Sequence, residues 1–480
     1  MASSTLQPTH EAPPAADRAA APAVGAPGPL RRYQAVAIGA LLVAFSTLVV
    51  VWARTRPGFD PYGWLVWGHQ TVAGSLDTNA APSWKPLPFL FTVPYALFGH
   101  YELWLWMITA VAVSLSGVFF AGAIAHRLTG PEHPRAALAA GVFAGLALLG
   151  IADYWHYVLS YQSDPMIVAL CLGAVYLHLT GHERWAFVFG GLAALGRPEV
   201  WPFLALYTIW AWRAIPSMRW LLIAGAAVIL LLWFGVPALT SRSPFVAASN
   251  AMGSGRRLQH NRVLGTIGRF LALHEPVLEV TALLAVALAV WRRHRITLAL
   301  AAGVVGVVMI EIAFALHGWP GLGRYMFEAA GLLAALAGVG VGRVLVEGRR
   351  RSAAAGWVAA ALVAAVVISL VPPAVSRARA ERRDLRVQRL RTHQVSRLAG
   401  TVSRLGGAGR LTGCGEPLTR LEYQTILAWT LRVNVARVGF KYGPAVHSRR
   451  PIVLFTPLPG GGWKVQALHQ RAPHCRSLPS

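Results

Sequence analysis

The chain is punctuated by apolar runs of about the length that crosses a bilayer as a helix, separated by short loops rich in arginine. The runs fall near 34–53, 102–125, 136–153, 165–180, 185–196, 199–213, 219–237, 276–291, 296–316, 325–346 and 354–373. With 55% hydrophobic and 13% charged residues, the composition matches a polytopic membrane protein rather than a soluble globule. The distribution of basic residues tests this layout. If Arg31 and Arg32 lie inside, then His126-Arg127 with Arg135, His182-Glu183-Arg184, Arg213 with Arg219, the run Trp291–Arg295, and Arg349–Arg351 also lie inside. The loops 54–101, 154–164, 238–275 and 317–324 then lie outside, together with the segment from about 376 onward.

The expected fold is an all-α polytopic membrane protein of about eleven transmembrane helices, followed by a small extracytoplasmic α/β domain over 376–480. Residues 1–30, rich in alanine and proline, read as a disordered cytoplasmic N-terminus, and 31–375 as the membrane domain. The first run is long for a signal-peptide core and is followed by Arg54-Thr55-Arg56-Pro57, which suits a retained anchor. Beyond the last run, 377–405 suits an amphipathic surface helix with apolar positions at Leu385, Leu390, Val395, Leu398, Val402 and Leu405. A strand at 410–414, a helix near 419–432, a strand at 435–440 and a hairpin through 451–468 complete the expected domain. Cys414 and Cys475 are free to pair if that domain meets an oxidising compartment; Cys171 reads as packing within a span.

A formal charge of +25 invites a nucleic-acid partner, but the arginines sit in loops and in the C-terminal segment without a recognition helix or stacking platform. Anionic headgroups of the bilayer are the better-matched partners. Arginine in place of lysine, with much alanine, glycine and proline, points to a GC-rich bacterial genome and hence to a bacterial plasma membrane.

The first outer loop concentrates the chemistry. It holds Asp60, His69 and Asp77 among many tryptophans, then Lys85 in Trp84-Lys85-Pro86-Leu87-Pro88. Of the acids, Asp60, Asp77, Glu102, Asp153, Asp164, Glu199, Glu275, Glu279 and Glu328 map near the outer surface, which suggests a polar cavity open on that side. Asp60 is a candidate general base and equally a helix N-cap for 61–73. Lys85 is a candidate phosphate ligand or a snorkelling interfacial lysine. Asp164 opens a span before Pro165, as a cap or as a second acid across the cavity. Arg197 and Glu199 lie at a break between two short runs, where a mutual ion pair is the simple reading. Arg324-Tyr325 starts a late span from which an arginine can grip phosphate. Arg256, Arg257, His260 and Asn261 lie in a Gly-Ser-Gly loop, either a cover for substrate or a linker.

In this order, the motifs resemble the GT-C superfamily of lipid-linked-sugar glycosyltransferases, especially the bacterial aminoarabinose and protein mannosyl transferases. The matching features are Asp60 after the first span, Lys85-Pro86-Leu87 running to Phe98-Gly99, Asp164-Pro165 at the fourth span, and Gly323-Arg324-Tyr325 at a late one. Arg197-Pro198 is similar to the kinked short-helix pair of that fold. The resemblance covers roughly 34–346. It implies an inverting transferase moving a sugar from a polyprenyl-phosphate donor to a glycan or lipid acceptor of the cell envelope. Asp60 would be the base, Lys85 and Arg324 with Tyr325 the phosphate binders, and Asp164 a second acid near the acceptor or a divalent cation. Asp60-Pro61 replaces the paired acids of many relatives, and the lysine motif lacks a second adjacent proline, so a metal role is open. A lipid transporter or flippase, and a non-catalytic envelope assembly protein, are the alternatives. No internal repeat supports the transporter.

Overall fold

The computed structural model describes residues 29–252, 258, 261–447, 449–470 and 475. The chain packs as two units, Met1–Leu41 and Leu42–Ser480. The described part of the first unit is the opening of helix α1 (Pro29–Ala53), and the remainder of the expected disordered segment 1–30 lies outside the described residues.

After α1 come α2 (Phe59–Val72), α3 (Pro86–Tyr95), α4 (Glu102–Thr129), α5 (Pro134–Leu149), α6 (Tyr154–Leu159), α7 (Asp164–Leu179), α8 (Glu183–Gly196) and α9 (Trp201–Ala214). Then follow α10 (Arg219–Leu230), α11 (Val236–Thr240), α12 (Val246–Met252), α13 (Arg262–Leu271), α14 (Pro276–Trp291), α15 (Arg295–Leu316), α16 (Phe327–Arg351) and α17 (Ala353–Arg404). Among the described residues, six helices are long and apolar enough to cross a membrane, or up to seven if the bent pair α13–α14 forms one span. The expected runs at 136–153 and 165–180 form shorter apolar helices of 16 residues, and those at 185–196 and 199–213 form helices of 14. Lipid is needed around the outer helices. Trp357 and Ile368 of α17 are 78% and 68% exposed, a surface that water would penalise.

Helix α16 is the axis of the bundle, packed against α4, α5, α7, α14 and α15. Its close approach depends on missing side chains. A Cβ at Gly338 would lie 2.5 Å from the Ala140 carbonyl oxygen, and one at Gly340 would lie 2.2 Å from that of Thr281. Small residues let membrane helices approach until their backbones touch, where dispersion replaces the hydrophobic effect that lipid cannot supply.

The C-terminal region continues directly from the membrane. The expected separate amphipathic helix is instead the second half of α17, which runs through Pro372 and Pro373 without stopping. Leu385, Val395, Leu398 and Val402 are buried along one seam, but Leu390 is 70% exposed and falls off it. Continuity is favoured because the same helix packs against α6, α14 and the C-terminal elements. Those are α18 (Gly407–Gly413), β1 (Glu416–Leu418), α19 (Gln424–Leu431), α20 (Tyr442–His447), β2 (Ile452–Pro457) and β3 (Trp463–Leu468). The sheet order is β1-β2-β3, with β1 parallel and β3 antiparallel to β2.

The hairpin thus forms as expected, whereas the other two strands do not. Residues 410–413 belong to α18, which opens at Gly407 after the N-cap Gly406, both glycines with positive φ, and the strand begins only at Glu416. The segment 435–440 makes a 3₁₀ turn and a single bridge between Gly439 and Leu418. Cys414 and Cys475 form a disulfide.

Replacing Gly338 or Gly340 by valine should cost about 1–3 kcal/mol by overpacking, read as a fall in thermal midpoint of the detergent-solubilised protein. Gly191→Ala, where a Cβ meets nothing within 4 Å, should leave the midpoint unchanged.

Candidate functional site

The site is assembled from helix ends. Its first fixed point is Arg197, which precedes Pro198. A residue before proline is pushed out of the helical region, and Arg197 is extended at φ −150°, ψ 130°. Pro198 also has no N–H to give the Ala194 carbonyl, which would otherwise be an orphan in the membrane. The indole N–H groups of Trp201 and Trp233 both donate to it at 3.0 Å. The break is thereby satisfied, and Arg197 turns into the bundle.

There it meets carboxylates from three places. Its Nη2 donates to Asp164 at the start of α7, Nη1 lies 3.5 Å from Glu199, and Nε lies 3.3 Å from Glu328 of α16. All four side chains are at most 4% exposed. Nη2 also donates to the Arg324 carbonyl at 3.3 Å, and the guanidinium lies 4.5 Å from the centre of the Tyr325 ring. The expected Arg197–Glu199 pair is therefore part of a larger knot.

Arg324 occupies the opening side of this knot, in a short 3₁₀ turn leading into α16. Its Nη1 is 3.8 Å from one oxygen of Asp60 and 3.8 Å from one of Asp164, while its Nε is buried without a hydrogen-bond partner among the described residues. The rings of Tyr157 and Tyr325 flank its guanidinium at 5.5 Å and 5.4 Å. Lys85, at the N-cap of α3, is half-buried; its Nζ donates to Ser163 at 3.4 Å and lies 5.9 Å from the Trp64 ring centre. Burial first, and then the charges of Arg197 and Arg324, pull the Lys85 ammonium below its ordinary pKa, against the opposing pull of Asp164 and Asp60.

Asp60 lies in the first turn of α2, whose N-cap position is taken by Gly58. Its neighbours hold it in place. The Gly58 N–H donates to the Ser160 carbonyl at 2.9 Å, and the Thr55 hydroxyl donates to the Leu159 carbonyl at 2.8 Å. From the C-terminal region, the Thr425 hydroxyl donates to the Phe59 carbonyl at 2.6 Å and Arg391 donates to that of Pro57. Asp60 is 22% exposed and Asp164 is fully buried, so Asp60 is the more accessible of the two carboxylates.

Asp60, Lys85, Asp164, Arg197, Glu199, Arg324 and Tyr325 are thus brought together. Two expected members are elsewhere. His69, at the far end of α2, pairs with buried Glu102 at 2.7 Å, packs against the tilted Trp429 ring and contacts Arg432. Asp77 closes a local turn, accepting from the N–H and side-chain amide of Asn79. Arg256 and His260 lie outside the described residues; Asn261 caps α13, accepting from Val263 and Leu264.

Several residues of the site went unread in the sequence. Glu328, which the sequence marks only as one of the outer acids, joins the knot around Arg197. Glu311 is fully buried among the carboxylates around Arg197, and its signal was available as a lone acid inside an apolar run. Tyr157 and Ser163 carry no signal of that kind. Nearby, His156 Nδ1 lies 3.0 Å from Asp384, which also accepts from Gln388.

A divalent cation does not suit this arrangement. The two carboxylates that would share it both face Arg324, and among the described residues no three His, Cys, Asp or Glu side chains are grouped to hold a metal ion.

With at least six helices long and apolar enough to cross a membrane among the described residues, the chain shares its fold with solved structures of ArnT and of an archaeal oligosaccharyltransferase. Similar crystal structures include ArnT from Cupriavidus metallidurans in the apo state, at 17% identity and TM-score 0.52, covering 88% of this chain and 93% of that one. The same protein bound to undecaprenyl phosphate matches at 16% identity and TM-score 0.50, with the same coverage. The Archaeoglobus fulgidus oligosaccharyltransferase in complex with Zn and sulfate matches at 12% identity and TM-score 0.51, covering 82% of this chain and 61% of that one. No family model and no curated protein sequence matches.

The hydrogen bond that the His156 imidazolium donates to Asp384, reinforced by the charges of Asp384, Asp153 and Glu381 and opposed by burial, raises the His156 pKa. Its contribution to stability should be fully present below the ordinary histidine value and vanish as pH rises through the raised one. In Asp384→Asn the titration of His156, followed by NMR, should move down, and the thermal midpoint should lose its dependence on pH across that window.

Proposed function

We propose that this protein is an inverting glycosyltransferase that moves a sugar from a polyprenyl-phosphate donor to a cell-envelope acceptor at the outer face of the membrane. The single observation behind this reading is the accessible Asp60 carboxylate beside Arg324, whose buried Nε–H has no partner among the described residues. A donor phosphate would supply the acceptor that the Arg324 Nε–H lacks and a counter-anion for Lys85, which has no carboxylate within ion-pair distance among the described residues. The likeness to ArnT bound to undecaprenyl phosphate supports the choice of donor.

In this mechanism Asp60 takes the proton of an acceptor hydroxyl as its oxygen attacks the anomeric carbon. The bond from that carbon to the phosphate oxygen breaks on the opposite face, which inverts the centre. Negative charge then grows on the departing polyprenyl phosphate, where Lys85 and Arg324 stabilise it more strongly than in the ground state. Asp164, locked by Arg197, acts as a positioning residue for Arg324 rather than as a second acid at the acceptor. Tyr157 and Tyr325 confine the guanidinium between their rings. No step passes through a metal.

Asp60→Asn should lower turnover about 10²–10⁴-fold with purified protein and a panel of polyprenyl-phosphate sugars, while leaving the thermal midpoint near wild type. Lys85→Met should weaken donor binding as well as turnover. Sugar transfer at the wild-type rate by the Asp60 variant would remove Asp60 as the base. Movement of labelled lipid in vesicles without ATP, indifferent to the same substitution, would support the flippase reading instead.

A further inference from the structure

A second charged cavity lies at the other end of α16. From Glu328 in the first knot, the helix runs about 33 Å to Arg350, roughly the thickness of a bilayer core. There α14, the start of α15 and the end of α16 enclose a space of about 100 Å³. Its base is apolar, formed by Ala285, Leu288 and Val339. Its mouth carries Arg292, Arg343, Arg350 and His294, with Glu347 as the one acid.

The positive charge here is only partly matched. Glu347 is engaged by Arg292. Arg343 donates to the Leu128 carbonyl at 2.5 Å, and Arg350 lies 3.5 Å from the Nε2 of His133; neither has a carboxylate within ion-pair distance among the described residues. The other nearby acid, Glu132, is 59% exposed on the turn before α5. His294 sits at the N-cap of α15, its Nδ1 2.8 Å from the Thr297 hydroxyl and 3.4 Å from the Thr297 N–H. Burial and the Arg343 charge hold His294 below its ordinary pKa, as expected where positive charge is in excess. Exposed Trp291, flanked by Arg292 and Arg351, places this rim at a membrane–water interface.

We propose that this cavity binds the phosphate of an anionic phospholipid headgroup from the surrounding bilayer, with its glycerol and first methylenes against the apolar base. Basic groups between membrane helices favour such headgroups, and the apolar base distinguishes a lipid from a free anion. The site is separate from the proposed transfer site and stands whether or not sugar transfer occurs.

The test is native mass spectrometry of the full chain in detergent with added phosphatidylglycerol, cardiolipin or phosphatidylcholine, and with inorganic phosphate as the free-ion arm. Wild type should retain one anionic lipid through delipidation and discard phosphatidylcholine. The double variant R343Q/R350Q should bind it about 30-fold more weakly, from the worth of two basic groups near an anionic surface. R349Q, off the cavity, should bind as wild type does. If the double variant fails to fold, R350Q alone, on the exposed rim, should weaken binding about fivefold. Equal retention of phosphatidylcholine, wild-type affinity in the arginine variants, equal weakening in R349Q, or displacement of the lipid by millimolar phosphate would each overturn the assignment.

Discussion

Arg197 is a permanent cation buried inside the helical bundle, and much of the site follows from its neutralisation. An unpaired guanidinium at this depth would be prohibitive, so Asp164, Glu199 and Glu328 must converge on it. Those acids come from the start of α7, the break before α9 and the start of α16. Satisfying one charge therefore fixes the relative position of several helix ends. Arg324 is held in turn, because Arg197 grips its carbonyl and Asp164 faces both guanidinium groups.

Ion pairing inside a protein is a costly way to gain stability, and apolar packing would often serve as well. Here it has a further consequence. Pairing fixes Asp164 and leaves the outermost members, Asp60 and Arg324, in looser contact at 3.8 Å. A rigid inner layer and a less committed outer one suit a site that must exchange its own contacts for those of a charged ligand.

The C-terminal region contributes to the same end of the bundle. Thr425 and Arg391 hold the Phe59 and Pro57 carbonyls on either side of Gly58, and α2 lies between α3 and α19. The backbone that presents Asp60 is thus clamped by the carbonyls of Leu159 and Ser160 and by residues more than 300 positions later. A region with no motif of its own becomes part of the frame of the site.

Local chemistry was legible from the chain alone. Apolar runs dictated helices, Pro198 dictated an extended Arg197, Pro165 dictated a helix start beside Asp164, and the Pro-Gly-Gly-Gly turn dictated a hairpin. The cluster itself was partly legible, because charged residues flanking apolar runs have few places to go. What the chain could not disclose was which of those charges meet. His69 and Asp77 share a loop with Asp60 and Lys85, yet one pairs with Glu102 and the other closes its own turn. Strands at 410–414 and 435–440 were equally invisible as helix and turn, since short segments take their conformation from what they pack against. Periodicity and backbone sterics act over a few residues and can be read in order. Convergence of Asp60, Asp164, Arg197, Glu328 and Arg324 is decided by the cost of burying unpaired charge, a sum over helix ends far apart in sequence that only the tertiary structure evaluates.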